Sequence, residues 1–301
     1  MGASFFTSEI VNFSILFLPS NFMQQWNNKI KWNIRHFQLF EREIKMKNAV
    51  LIFALTFIAT AYAIEGGHRT LSTDSAITTT VRIYFETDSG PHFCSGTLVS
   101  KDIVITAAHC LVLAGKPHLE PEKPELFYVS LMSFPDFWGN IDDGYQATVV
   151  DYRYHDGFKN IDVYPYTVHD IAVLKIRSSE FRHNIQYAKI AELSSISLNQ
   201  NLVIAAFGPS ITDPDSGKPL RQVEVPLMSL DHQNERFSVE WGPENIKGLN
   251  LGDSGGPVYL FTTSNSSLVG VISSGNGFTF VPAYWDWLSA AILKMGGEAL
   301  R

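Results

Sequence analysis

Three residues of this chain have the chemistry of acyl transfer. Ser254 lies in Gly252-Asp253-Ser254-Gly255-Gly256-Pro257. Glycine admits backbone torsions closed to other residues, so such a loop can fold tightly and turn its N–H groups inward. A hydroxyl beside converging N–H groups supplies a nucleophile and an oxyanion site together. Alone, the stretch also reads as a Gly/Ser surface turn, and the choice depends on finding a base and an acid elsewhere. His109 lies in Thr106-Ala107-Ala108-His109-Cys110, directly after a β-branched run. The small residues let the backbone pack closely and leave the imidazole pointing out at a strand end. Asp170 stands just before Ile171-Ala172-Val173-Leu174. A carboxylate entering a core has to be paired or hydrogen-bonded. The N–H of a catalytic imidazole is one such partner, and the pairing fixes the ring's tautomer.

The elements that must position these groups are short strands. Val81 to Phe85 alternates and is aromatic-rich, and 97–99 and 103–106 are β-branched. Further strands are expected at 127–131, 147–150, 171–176, 202–207, 222–226, 257–261 and 268–273. Gly, Pro, Asp and Asn clusters separate them, which predicts an all-β barrel or sandwich. One helix is expected, at the end: Tyr284, Trp287, Leu288, Ala291 and Ile292 recur at helical spacing and Gly296-Gly297 closes the run. A division near residues 180–195 gives two β units of similar size.

Four segments together resemble the chymotrypsin/trypsin-like serine proteases: T-A-A-H-C at 106–110, H-F-C-S-G-T-L-V at 92–99, D-I-A-V-L at 170–174 and G-D-S-G-G-P at 252–257. Their order, His then Asp then Ser, differs from that of subtilisin-like and α/β-hydrolase enzymes. The resemblance runs from Ile64 to the final helix and covers nothing in 1–63. It implies two six-stranded antiparallel β-barrels, about 64–185 and 186–283, followed by the C-terminal α-helix. It implies a catalytic triad of Ser254 (nucleophile), His109 (base, then acid) and Asp170 (orienting carboxylate). The N–H groups of Gly252 and Ser254 would form the oxyanion hole. Cys94 and Cys110 would form a disulfide. Asp253 would pair with a freed N-terminal ammonium at Ile64, which opens Ile64-Glu65-Gly66-Gly67.

Substrate would be met by Gly248, Leu249, Ser273, Ser274, Gly275 and Gly277. No acid lies between Gly248 and Leu251, so the expected preference is apolar rather than Arg/Lys. Several family features are missing: Asn250 stands where a pocket cysteine is expected, and Ala206-Phe207-Gly208 replaces Gly-Trp-Gly. The expected activity is serine endopeptidase, acting on proteins or peptides and open to protein inhibitors. No cofactor or metal is implied. The rival reading is a catalytically silent homologue that binds or scaffolds a partner.

Residues 48–64 are uncharged and apolar, follow Lys45 and Lys47, and end near Ala61-Tyr62-Ala63. This pattern predicts a signal peptide over 46–63, with 1–45 an unassigned or gene-model extension. The run is shorter than the roughly 20 residues a spanning helix needs. The expectation is a secreted monomer, extracellular or periplasmic, with no stable membrane association after cleavage. The 301 residues carry a net charge of −7. No basic surplus exists of the kind a nucleic-acid binder needs. Secretion also suits a disulfide and gives meaning to the sequon at Asn265-Ser266-Ser267.

Overall fold

The computed structural model describes residues 64, 67–70, 79–87, 90–112, 123–131, 146–159, 167–177, 186–208, 220–241, 248–261, 266–273 and 277–300. The expected signal segment, the 1–45 extension, Ser274, Gly275 and Asn265 lie outside the described residues.

Two closed six-stranded antiparallel barrels make up the fold, as expected. The first contains β2 (Thr80–Thr87), β3 (Gly90–Ser100), β4 (Ile103–Thr106), β5 (Phe127–Leu131), β6 (Gln146–Tyr154) and β7 (Ala172–Ile176). Going round it, the order is β2-β3-β4-β7-β6-β5, and β5 pairs back to β2. The second contains β9 (Asn201–Ala206), β10 (Arg221–Asp231), β11 (Arg236–Val239), β12 (Pro257–Phe261), β13 (Ser266–Ile272) and β14 (Phe278–Phe280). Its order is β10-β11-β14-β13-β12-β9, closed by β9 against β10. Two short strands are added outside this ring. β1 (His68–Arg69) pairs with β10, and β8 (Lys189–Ile190) runs parallel to β13.

Side-chain alternation explains these strands. On β10, Val223, Val225 and Leu227 are buried while Glu224 is exposed, a period of two that puts one face in the barrel. On β6 the alternation breaks between Val149 and Asp151, where the register shifts and Val150 turns outward. β4 is buried at all four residues, since both its faces are covered. Ile83, Leu98, Ile105, Phe127 and Leu174 are fully buried in the first core, each contributing about 1.5–3 kcal/mol. Leu202, Ile204, Val225, Val258 and Phe278 fill the second. Closure pairs both edges of each barrel strand, so long exposed edges do not arise among them. The strands absent from the expected set (β1, β8, β11 and β14) are the short ones, with two to four residues each. Segments that short carry little alternation, and β4, equally short, was legible from its β-branched run instead.

The helix α1 (Trp285–Lys294) follows a 3-10 turn at Val281–Tyr284. It buries Leu288, Ala291 and Ile292, spaced three and four apart. Asp286 in its first turn and Lys294 in its last suit the helix dipole. Gly296, at φ 69°, ends it, and the Gly297 N–H reaches back to the Ile292 carbonyl at 2.9 Å. Although it follows the second barrel in sequence, α1 packs with the first barrel's core.

Two buried contacts join the barrels. The Tyr259 hydroxyl on β12 meets Thr79 Oγ1 at 2.7 Å and Thr80 Oγ1 at 3.2 Å. Burial pushes that phenol up to about 12. The Arg82 guanidinium lies between the rings of Phe93 and Phe207, 5.2 and 5.3 Å from their centroids. Burial lowers its pKa to about 10.

Candidate active site

Asp170 and His109 meet at the seam between the barrels. Ala107 and Ala108 are fully buried, and they lead from β4 into a 3-10 turn at Ala108–Cys110. This turn presents the His109 ring, whose side chain remains 21% exposed. Asp170 lies just before β7, and its side chain is 1% exposed. Its Oδ2 meets His109 Nδ1 at 2.7 Å, and its Oδ1 accepts the His109 backbone N–H at 2.9 Å. Both carboxylate oxygens therefore hold one residue. Nδ1 carries the proton in that bond, which leaves Nε2 as the basic nitrogen of a neutral ring.

Two hydroxyls complete the clasp. Ser273 Oγ donates to Asp170 Oδ2 at 2.5 Å. Thr167 Oγ1 stands 3.3 Å from the same oxygen and 2.7 Å from Ser273 Oγ. Burial alone would raise the Asp170 carboxyl. The charge and hydrogen bonds of His109, with the Ser273 hydroxyl, outweigh it and hold the carboxyl below its ordinary value. Burial likewise works against a charged His109, but Asp170 wins and the ring's pKa is raised. A paired carboxylate stabilises an imidazolium, which is the species a histidine base passes through.

Ser254 is brought to the same seam by a short chain of contacts. The Ser95 N–H donates to the Ser254 carbonyl at 2.7 Å. Ser95 follows Cys94, which is disulfide-bonded to Cys110, the residue after His109. The Ser95 hydroxyl donates to the Gly252 carbonyl at 2.9 Å and accepts the Phe207 N–H at 3.0 Å. One serine on β3 thus pins both ends of the nucleophile loop's first turn. The Cys94 and Cys110 sulfurs also lie near a His109 ring nitrogen, but their disulfide leaves no thiolate to bind a metal.

The glycines of this loop are required by its geometry. Gly252 has φ 93° and Gly255 φ 78°. A Cβ on Gly255 would stand 2.1 Å from Thr106 Oγ1 and 2.3 Å from the Ser95 carbonyl. The N–H groups of Asp253, Gly255 and Gly256 are taken by Asn250, Ile272 and Asp253 carbonyls. Among the described residues no acceptor takes the N–H of Gly252 or of Ser254.

Asp253 is fully buried. Its Oδ1 accepts the Gly208 N–H at 2.9 Å and its Oδ2 that of Asn250 at 2.8 Å. A Cβ on Gly208 would fall 2.2 Å from Asp253 Oδ1, so that glycine makes room for the acid. Ile64 is also fully buried, in the second barrel's core, with its carbonyl 3.3 Å from the Gly67 N–H.

The residues expected to meet substrate are placed as follows. Gly248 is half-buried with open space where a Cβ would stand. Leu249 is half-buried and packs on the second core. The Ser273 N–H reaches the Gly277 carbonyl at 2.9 Å. The Ser273 side chain has an additional place, on Asp170. That place was not legible in the sequence, and neither were those of Thr167 and Ser95. Thr167 is three residues from Asp170, but its role depends on Ser273, and no spacing rule links 273 to 170, since that contact crosses from one barrel to the other.

A family model described as Trypsin matches residues 64–282. The chain is 31% identical over 201 residues to trypsin epsilon of Drosophila erecta, covering 62% of this chain and 70% of that protein. It is 27% identical over 209 residues to hypodermin-B of Hypoderma lineatum, covering 64% and 71%. It is 27% identical over 245 residues to chymotrypsin-like elastase family member 1 of Rattus norvegicus, covering 69% and 82%. Paired barrels, motif order and a match running the length of both barrels agree, and the chain belongs to the trypsin family of serine proteases.

Proposed function

We propose that this protein is a secreted serine endopeptidase acting through Ser254, His109 and Asp170. The observation that carries the reading is the Asp170 clasp on His109 Nδ1, which leaves Nε2 of the neutral ring as a base at the seam to which Ser95 ties Ser254. Ser254 Oγ attacks the scissile carbonyl carbon while His109 Nε2 takes the hydroxyl proton. The N–H groups of Gly252 and Ser254 receive the oxyanion, and one such donor is typically worth about 3 kcal/mol. Collapse of the tetrahedral species breaks the C–N bond, and His109 delivers its proton to the leaving amine. Water then repeats the sequence on the acyl-enzyme and regenerates Ser254. Throughout, Asp170 stays ionised, since its carboxyl is held below its ordinary value.

Asp253 supports the oxyanion site from behind by pairing with the ammonium of Ile64. Both residues are fully buried, and a buried carboxylate calls for a cation as well as hydrogen bonds. Ala63 rather than Arg or Lys precedes Ile64, so signal cleavage itself frees the new terminus. Absence of an acid at Gly248, and open space there, favour apolar side chains at the substrate's cleavage position. The mature protein acts as a monomer.

A fluorophosphonate probe tests the reading. Wild-type protein beginning at Ile64 is expected to label, and Ser254→Ala to remain unlabelled. Failure of the processed wild type to label would favour a silent, partner-binding homologue.

A further inference from the structure

The turn that presents Asp170 is gripped from the other barrel. Its residue His169 has φ 53°, in the left-handed region unusual for a side chain larger than glycine. So does Glu235, also at φ 53°, in the turn between β10 and β11. The two are hydrogen-bonded to each other: His169 Nδ1 meets Glu235 Oε2 at 3.1 Å. Next to Glu235, Arg236 donates from Nη1 to the Thr167 carbonyl at 2.5 Å. Between these grips, Val168 pairs instead with Lys159 of its own barrel, through two backbone bonds of 3.1 and 3.2 Å. Residues 167, 168 and 169 are therefore held alternately by the second barrel, the first and the second again. Backbone torsions of this kind persist only where the surroundings over-determine them, and they gather at functional sites.

We propose that Glu235 and Arg236 are positioning residues for the triad, a pair of adjacent opposite charges that fixes the Asp170 turn against His109. The proposal rests on the enzymatic reading above. Arg236 fixes the residue whose hydroxyl stands 3.3 Å from Asp170 Oδ2. Glu235 fixes the residue directly before Asp170. Neither reaches the carboxylate itself; each acts through a neighbour. The back of the grip is packed by other groups. The Tyr284 hydroxyl lies 3.0 Å from His169 Nδ1. Burial and its hydrogen bond to Glu235 raise the Tyr284 phenol. The His155 ring stacks on His169 with centroids 4.5 Å apart and touches Trp287 at 5.2 Å. Its Nδ1 accepts the Gly157 N–H at 3.1 Å, so this nitrogen carries no proton. Burial, with the neighbouring His169 ring, lowers its pKa against the pull of Glu235 and Asp156. The titratable and charged groups around the grip are thus His155, Asp156, Lys159, His169, Asp231, Glu235, Arg236 and Tyr284, with Asp170 and His109 in front.

Steady-state kinetics across pH on the processed protein test the role. Glu235→Ala and Arg236→Met are each expected to lower kcat on the order of tenfold with KM within about twofold, since small misplacement of a catalytic group has effects of this size. The acid limb of kcat/KM should move to lower pH, because a displaced Asp170 supports the His109 imidazolium less well. Glu235→Gln keeps an acceptor and is expected to recover most of the loss. Arg236→Lys keeps the charge without the planar fork and should give an intermediate rate and a smaller shift of the limb. If the Ala and Met variants do not fold, Arg236→Lys decides by the same limb, since it alone among the conservative variants is expected to shift it. Variants that melt earlier but keep the wild-type kcat and pH profile would overturn the proposal, as would a change in KM alone. A processed wild type that takes no fluorophosphonate and turns over no substrate would overturn the enzymatic reading, and this role with it. A wild type that labels beside variants with its own pH profile would overturn this role alone.

Discussion

At the scale of single residues, the decisive quantity is the direction in which His109 and Asp170 are shifted. His109 is raised and Asp170 lowered, each chiefly by the other against the cost of burial. In the catalytic reading His109 has to be neutral to take the Ser254 proton. The acid limb of kcat/KM is therefore expected above the ordinary imidazole value of about 6.5. A midpoint at or below that value in a pH–rate profile would contradict it. The stability signs are opposite for the two groups. The share from a raised histidine is present below its unfolded pKa and is lost as pH rises through the folded one. The share from a lowered carboxylate is present above its unfolded pKa of about 4 and is lost as pH falls below it. The two titrate as one pair, so both limbs belong to the pair. Ser254, His109 and Asp170 were legible as candidates because each lies in a short motif with its own chemistry. Thr167, Ser273 and Ser95 were not: serine and threonine occur throughout the chain, and only a folded neighbour makes one hydroxyl matter.

At the scale of elements, the site depends on how β3 and the turn after β4 are tied together. The Cys94–Cys110 disulfide links them across a sequence separation of 16. A crosslink closing a loop of about 15 residues is worth roughly 3 kcal/mol through the unfolded chain. Cys94→Ser/Cys110→Ser is expected to lower the unfolding free energy by about that amount. The measurement is denaturant unfolding, with a somewhat larger m-value because the unfolded chain without its crosslink exposes more surface. A loss well under 1 kcal/mol would show that strand pairing alone fixes the turn. Ser95 gives β3 a second role, since it holds the carbonyls of both Gly252 and Ser254. Among the described residues the two cysteines form the one disulfide. Asn250, which stands where a pocket cysteine was expected, contributes its N–H to Asp253 and its Oδ1 to the Leu251 N–H instead. The long strands were readable from their alternation, and β5 and β12 fall where the pattern put them. Short β11 and β14 became strands through pairing with each other and with β10 and β13.

For the whole molecule, two closed barrels meet at a seam, and every residue of the proposed triad lies there. His109 and Asp170 come from the first barrel, Ser254 from the second. No helix among the described residues is long and apolar enough to cross a membrane. Ile64, at the start of the matched region, and Asp253, in the nucleophile loop, are each fully buried. If signal cleavage frees Ile64, N-terminal sequencing of the secreted protein should read Ile-Glu-Gly-Gly. A start at Thr70 or later, or an intact Met46, would refute the processing scheme. The family, the order of the proposed triad and the paired β units were determined by the sequence alone, because motifs and period-two alternation are local and survive without coordinates. The tertiary structure alone decided that the Ser273 hydroxyl holds Asp170, that β3 pins the nucleophile loop, and that Glu235 and Arg236 grip the acid's turn. Those contacts join residues about 70 to 160 positions apart across a barrel seam. Their distances depend on strand order and closure, which no local pattern encodes.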